Sequence, residues 1–279
     1  MLEQCELRVN ASQAHLLFDP SEGKPCGELV RIIRLSTTDP RYAKVGALRD
    51  RLEREQGISF FYGWSMERTY SKLEIEEASF FHLSITTAFE PTGEECGTLY
   101  NMSAVCPMCG AGRKLISPLR LDASRIPKGK DIAITIGSEM IVSRRLADLI
   151  RETGLRGLDL QPVVVVKGKQ PSSEWFHLTA SSDGVDVVPP TRFGIDPFDD
   201  DEKGLYRCPQ GHVSGLNLLS EVHVKTGARE INDLFFSRQL VGWRVGVLVP
   251  HPILFVSKRF VNLLNECGTK GYKLEAIRV

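Results

Sequence analysis

Two short clusters of cysteine and histidine carry the side chains best suited to metal chemistry. Cys106 and Cys109 form a C-x-x-C pair in "CPMCG", and Cys208 and His212 form a C-x-x-x-H pair in "CPQGH". Thiolates and imidazole suit structural zinc, and Cys3His is one of its common ligand sets. A turn with Pro and Gly in each cluster can aim both side chains at one point. These four residues predict one structural zinc ion with no coordination position left for catalysis.

The same cysteines allow other interpretations. Cys106 and Cys109 also fit a redox pair or plain buried thiols, with the second cluster unrelated. Cys96, next to Glu94 and Glu95, fits a substitute ligand or a nucleophile, although a lone cysteine is more often a small buried apolar residue. Seven cysteines without an export signal argue against a disulfide framework. The remaining thiols are therefore interpreted as structural: Cys5, Cys26 and Cys267.

An internal repeat explains why the two clusters lie so far apart in the chain. Val142 to Leu160 aligns without gaps with Val256 to Leu274, and eight of nineteen positions are identical. In each copy a serine (Ser143, Ser257) precedes an apolar stripe of helical period, and a glycine follows it. This order predicts an N-capped helix, a tight turn and a strand.

The alignment continues upstream to the metal clusters. The segment from Cys109 aligns with the segment from His212, so that the histidine takes the place of a cysteine. The second cluster is thus interpreted as the other half of one four-ligand site. Repeat 1 is predicted over about 106–166 and repeat 2 over about 208–279.

With "CPMCG" and "CPQGH", each followed by a capped helix and a strand, the chain resembles the double-CxxCG proteins over roughly Glu94 to Val279. That family is expanded in myxobacteria, and its members are associated with contact-dependent toxin and immunity systems. The resemblance implies a small cytoplasmic immunity protein that binds and neutralises a partner toxin. The second cluster departs from the family pattern at His212.

The segment 1–93 is predicted as a small N-terminal α/β module. Its helix is expected to start at Asp39 and Pro40 and to end at Gly57, and Ser71 with Glu74 forms a capping box. The run "FFHLSITTAF" is expected to be the last strand of this module. The predicted fold class is therefore α+β, with this module followed by a duplicated zinc-ribbon-like domain over 94–279 around one zinc ion.

Composition favours a globular protein without a membrane span. Lys plus Arg and Asp plus Glu are both 35, and 42% of the residues are hydrophobic. The balanced charge gives no general attraction to nucleic acid or to membranes. No apolar run is long enough to cross a bilayer, so a cytoplasmic location is predicted. The oligomeric state is not predicted.

Three further functions were considered beside a protein partner. The region from Cys106 to Arg156 has ten basic and five acidic residues, which fits a nucleic-acid-binding or regulatory zinc ribbon but lacks interleaved aromatics. An enzyme of unknown class would use scattered groups, and no catalytic residue is assigned. The acidic loop 196–202 is interpreted as a solvated linker, with toxin or calcium binding as alternatives. The histidines considered were His82, His223 and His251.

Overall fold

The computed structural model describes residues 1–103, 105–167, 170–181, 184–205, 207–210, 212, 215–225, 232–242 and 248–279. The strands in chain order are β1 (Leu2–Asn10), β2 (Lys24–Cys26), β3 (Val30–Ser36), β4 (Phe61–Thr69), β5 (Phe80–Ile85), β6 (Ala88–Phe89), β7 (Tyr100–Asn101), β8 (Lys114–Leu115), β9 (Arg120–Leu121), β10 (Ile132–Thr135), β11 (Met140–Ser143), β12 (Leu158–Val165), β13 (Gln170–Ala180), β14 (Phe193–Gly194), β15 (Asn217–Leu218), β16 (Leu234–Val241), β17 (His251–Ser257) and β18 (Tyr272–Ala276). The α-helices are α1 (Tyr42–Gln56), α2 (Lys72–Glu77), α3 (Arg144–Thr153) and α4 (Lys258–Glu266). None of these helices is long and apolar enough to cross a membrane.

The fold is α+β, as predicted, and begins with an antiparallel sheet of order β2-β3-β1-β4. Leu7 on β1 alternates with polar neighbours and packs with Val45 and Leu52 of α1 in a separate apolar core. The sequence interpretation had not identified β1, the central strand. It also placed the start of α1 two residues early, because Asp39 accepts a hydrogen bond from the backbone N–H of Arg41 in a preceding turn.

Strand β5 does not belong to the N-terminal sheet, contrary to the prediction. It lies between β17 and β18 in an antiparallel sheet of order β16-β17-β5-β18. Phe81 on this strand is fully buried against Val256 and Leu264 in the main apolar core. The alternating apolar residues of β5 thus find their partners almost at the other end of the chain.

A second sheet, of order β6-β10-β11-β13-β12-β9, repeats this arrangement around β13. Phe81 of β5 pairs with Val256, and Phe176 of β13 pairs with Val142. On the other side, β5 pairs with β18 and β13 pairs with β12 at matching residues. The two central strands share the tripeptide Phe-His-Leu, at 81–83 and 176–178. Such matched pairings are what the predicted duplication would produce, and they extend upstream of the predicted repeat starts.

The two central strands, β5 and β13, each join a sheet whose other main strands lie elsewhere in the chain. β5 precedes the first metal cluster in the chain but completes the sheet that contains α4's flanking strands. β13 precedes the second cluster but completes the sheet that contains β11 and β12. Each of these two strands therefore precedes one cluster in the chain and joins the sheet built from strands that follow the other cluster.

Helices α3 and α4 contact each other in a reciprocal way. Arg145 at the start of α3 donates to the Cys267 carbonyl at the end of α4 at 3.0 Å. Arg259 at the start of α4 donates to the Thr153 carbonyl at the end of α3 at 3.1 Å. A guanidinium at a helix C-terminus donates to an otherwise unpaired carbonyl, and its positive charge interacts favourably with the negative end of the helix dipole. These contacts hold the two halves together on the side of the helices.

The acidic loop 196–202 is not a solvated linker. Phe198 packs on Tyr42, with ring centroids 4.9 Å apart, and joins the apolar core of the N-terminal module. Asp196 pairs with Arg49 of α1, and Asp200 pairs with Arg192 at 2.6 Å. The apolar side chain inside the acidic run explains the difference, because it docks the loop while arginines neutralise its carboxylates.

Candidate metal centre

The structure brings the four predicted ligands together. Ligand atoms of Cys106, Cys109, Cys208 and His212 all lie within 4.8 Å of one another. The Cys106 and Cys208 sulfurs are 3.6 Å apart, too far for a disulfide. His212 Nδ1 lies 3.3 Å from the Cys109 sulfur and 3.6 Å from the Cys208 sulfur. The cluster could hold a metal ion, with Nδ1 rather than Nε2 as the imidazole ligand.

Tight loops point both side chains of each cluster inward. In the first loop, the Cys106 N–H donates to the Ala111 carbonyl at 2.7 Å, and the Gly110 N–H donates to the Cys106 carbonyl at 2.8 Å. Gly110 has a φ of 77°, in the left-handed region that favours glycine. In the second loop, the Cys208 N–H donates to the His212 carbonyl at 3.2 Å. The first loop has the predicted glycine turn, whereas the glycine of the second cluster lies outside the described residues.

The cluster is largely buried and favours a thiolate at Cys106. The three cysteines are buried, and His212 is half-buried. Hydrogen bonding from the Cys109 backbone N–H is the largest effect on Cys106, and it lowers the pKa of that thiol to about 6. Only the thiolate is a metal ligand, so the loop prepares Cys106 for binding before any ion is present.

A polar group of side chains supports the first loop. The Arg113 guanidinium lies 3.5 Å from the centre of the Tyr100 ring and 3.1 Å from a Glu94 carboxylate oxygen. The Tyr100 hydroxyl donates to buried Glu139 at 2.5 Å. Glu94 therefore acts as a structural partner of the loop rather than as an isolated acid.

The other sequence candidates do not form a catalytic set with one another. Glu95 accepts the N–H and hydroxyl of Thr92, at 2.7 and 2.9 Å, in a local capping arrangement. Burial raises the pKa of the Cys96 thiol, which disfavours the nucleophilic thiolate. His223 forms an isolated β-bridge with Arg278.

A histidine that the sequence interpretation missed lies in a cavity with two that it considered. His177 of β13 lines a cavity together with His82 and His251. The signal was available, because the Phe-His-Leu tripeptide occurs in both halves. A three-residue match is too short to be found without the strand pairing.

Comparison with known proteins adds no assignment to this geometry. No protein-family model matches the chain, and no curated protein matches it either.

Proposed function

We propose that this chain is a non-enzymatic binding protein whose fold is stabilised by one structural zinc ion on Cys106, Cys109, Cys208 and His212. The observation that supports zinc is the spacing of the ligand atoms. Tetrahedral Zn–S bonds of about 2.3 Å place ligand atoms roughly 3.7 Å apart. The sulfur–sulfur distance of 3.6 Å and the sulfur–nitrogen distances of 3.3 and 3.6 Å fit this value.

A closed set of four protein ligands supports a structural rather than a catalytic ion. Water has no open coordination position in such a site, so it would not be activated for hydrolysis. The ligands come from two segments that are far apart in the sequence, since the first pair ends at Cys109 and the second begins at Cys208. The ion would therefore tie the two halves together, as the helices α3 and α4 do on another side.

The proposed target is a protein, in keeping with the resemblance to immunity proteins of the double-CxxCG family. Large apolar side chains are exposed beside the first metal loop, and four of them are between 55% and 63% accessible. Contiguous exposed apolar patches mark interaction surfaces, and Leu99 and Ile116 are neighbours, since the Ile116 N–H donates to the Leu99 carbonyl at 3.0 Å. We name these residues the knuckle surface: Leu99, Met102, Met108 and Ile116.

Nucleic acid is a weaker candidate for the target. Three of the basic residues counted near the first loop pair with acids, which reduces the local positive charge: Arg113 with Glu94, Arg145 with Asp131 and Arg151 with Asp148. Binding to phosphates would also become much weaker as salt rises, whereas an apolar protein interface would not. The cytoplasmic location is proposed on the free thiols, since all seven cysteines are unpaired.

The metal proposal is tested by elemental analysis of protein purified without chelator or metal-affinity tag. We expect one zinc per chain in the wild type, and loss of zinc with a lower melting temperature in Cys208→Ala and His212→Ala. Cys96→Ala is the matched control and should keep the ion. Full zinc content and an unchanged melting temperature in Cys208→Ala would refute the paired site.

The partner proposal is tested by capture of proteins from the encoding bacterium. A specific partner should bind the wild type, resist moderate salt and be lost with Met108→Glu or Ile116→Glu. Leu29→Glu, at an exposed residue of the N-terminal module, is the matched control. Capture that disappears as salt rises, or that is the same in all variants, would contradict this surface.

A further inference from the structure

A cavity of about 450 Å³ lies between the two sheets of the duplicated part. Its walls come from matching positions of the two halves. His82, Leu83 and Ser84 of β5 line one side, and His177, Leu178 and Thr179 of β13 line the other. The cavity thus lies where β5 and β13, the central strands of the two sheets, face each other. Its volume is in the range of small-molecule sites.

His177 and His82 both have ring nitrogens without a hydrogen-bond partner among the described residues. His177 is only 9% exposed, and its imidazole faces the cavity. His82 Nε2 lies 3.2 Å from the Ser84 hydroxyl, whereas its buried Nδ1 has no hydrogen-bond partner and lies 3.8 Å from a Glu275 carboxylate oxygen. Buried polar groups are nearly always hydrogen-bonded, so an unpartnered imidazole facing a cavity indicates a missing partner.

The surroundings of the cavity are apolar and uncharged. Among the described residues that line it, none is Lys, Arg, Asp or Glu, and Met140, Phe236 and Leu254 supply much of the wall. Burial lowers the pKa of His177 to about 4. This imidazole is therefore neutral near pH 7 and offers one donor and one acceptor. Within this cavity a charged ligand would lose its hydration without gaining a counter-charge, because Arg113 and Glu139 line only the neighbouring cavity.

A second cavity, of about 350 Å³, continues from the first towards the metal loop. The two share Ser138, His177, His251 and Pro252, and the second reaches Gly110 and Arg113. A ligand at His177 would therefore lie near Gly110 and Arg113, which belong to the first metal loop and to the side chains that pack beside it.

We propose that this cavity binds an uncharged small molecule with an apolar body and a hydroxyl or amide group that hydrogen-bonds to His177. The site is independent of the zinc ion and of the protein partner proposed above. Its polar contact is supplied by one imidazole, and its apolar contacts are supplied by both halves.

The test is a titration of the metal-loaded full chain with phenol, followed by NMR of the histidine ring nitrogens. Toluene has the same shape without the hydroxyl, and benzoate carries a charge. We expect saturable shifts of the His177 resonance with phenol and about fivefold weaker binding of toluene, because one hydrogen bond contributes about 1 kcal/mol. Benzoate should give no saturable shift, because its charge would be desolvated.

Two variants distinguish the contribution of the hydrogen bond to ligand binding from the contribution of the cavity volume. His177→Leu should remove the preference for phenol over toluene, and Leu218→Trp should abolish binding of both because it fills the cavity. His15→Leu, at an exposed histidine of the N-terminal module, is the matched control and should bind like the wild type. The proposal is overturned if phenol gives no saturable shift, if benzoate binds as well as phenol, or if both cavity variants bind phenol normally.

Discussion

Ser143 and Ser257 each form two hydrogen bonds at the start of a helix. The Ser143 hydroxyl accepts the Leu146 N–H at 3.2 Å and donates to Asp131 at 2.7 Å. The Ser257 hydroxyl does the same with the Phe260 N–H at 3.2 Å and with Asp233 at 2.5 Å. Asp233 is buried, whereas Asp131 is half-buried. The two caps therefore have the same geometry, but losing the cap should lower the free energy of unfolding more at Ser257 than at Ser143.

This difference predicts unequal losses of stability. Ser143→Ala should lower the free energy of unfolding by about 1 kcal/mol, the usual effect of a lost N-cap. Ser257→Ala should lower it by about 2 kcal/mol, because it also removes a donor from a buried carboxylate. Urea unfolding of the metal-loaded protein measures both, and Ser→Thr at each position is the control that keeps the hydroxyl. Equal losses, or a larger loss at Ser143, would contradict this account.

His177 predicts a pH dependence of stability. Burial is the main cause of its lowered pKa of about 4, and the nearby Asp159 carboxylate opposes the effect. The unfolded chain therefore takes up a proton at this histidine as the pH falls through about 6.5, whereas the folded chain does so only near 4. Stability should fall across this window by up to about 2 kcal/mol between pH 7 and 5.

The measurement compares urea unfolding of the wild type and His177→Leu at pH 7 and pH 5, with bound metal determined at each pH. The variant should lose less stability on acidification, and His15→Leu should behave like the wild type. Parallel losses in the wild type and His177→Leu would show that His177 is already accessible to protons in the folded state.

At the scale of elements, the placement of β5 makes the sheet of β16, β17 and β18 depend on a segment from far earlier in the chain. β5 forms hydrogen-bonded pairs on both edges, so its removal would expose the edges of β17 and β18 at once. Phe81 and Leu83 would leave the main core together with it. A boundary just after 93, as the sequence suggested for the N-terminal module, would cut the chain after this strand rather than before it.

Shortened chains test this dependence. A chain that starts at Ser71 keeps the capping box of α2 and all of β5, and it should bind zinc and unfold in one cooperative transition. A chain that starts at Glu94 lacks β5 and should be aggregated or unfolded. Circular dichroism, zinc content and thermal unfolding compare the two. A well-folded chain from Glu94 would show that β5 is dispensable.

Local features were predictable from the sequence and distant pairings were not. Ser71, Ser143 and Ser257 cap helices as predicted, because a cap depends only on residues within one turn. The four candidate metal ligands lie together as predicted. The partners of β5 were missed, since an alternating pattern shows that a strand has a buried face but not which strands lie beside it.

At the scale of the whole molecule, the N-terminal module is attached by a few contacts. Arg68 at the end of β4 donates to the Leu219 carbonyl at 2.7 Å and to Glu275 at 2.9 Å. Phe198 inserts into the module's core from the acidic loop, and a Cβ on Gly46 would lie 2.8 Å from the Cβ of Phe198. The absence of a side chain at Gly46 therefore allows Phe198 to pack directly against the backbone of α1.

Phe198→Ala should loosen the module without unfolding the rest of the chain. Loss of a half-buried phenylalanine should weaken docking by about 2 kcal/mol, less than for a fully buried one. Calorimetry of the wild type should show one transition, and the variant should show an earlier transition of the module followed by unfolding of the metal-containing part. Zinc content should not change, because none of the four ligands contacts the module's core. Leu29→Ala, at an exposed leucine, is the control. If Phe198→Ala unfolds in one unchanged transition, the polar contacts such as Arg49–Asp196 and Arg68–Glu275 are sufficient to hold the module in place.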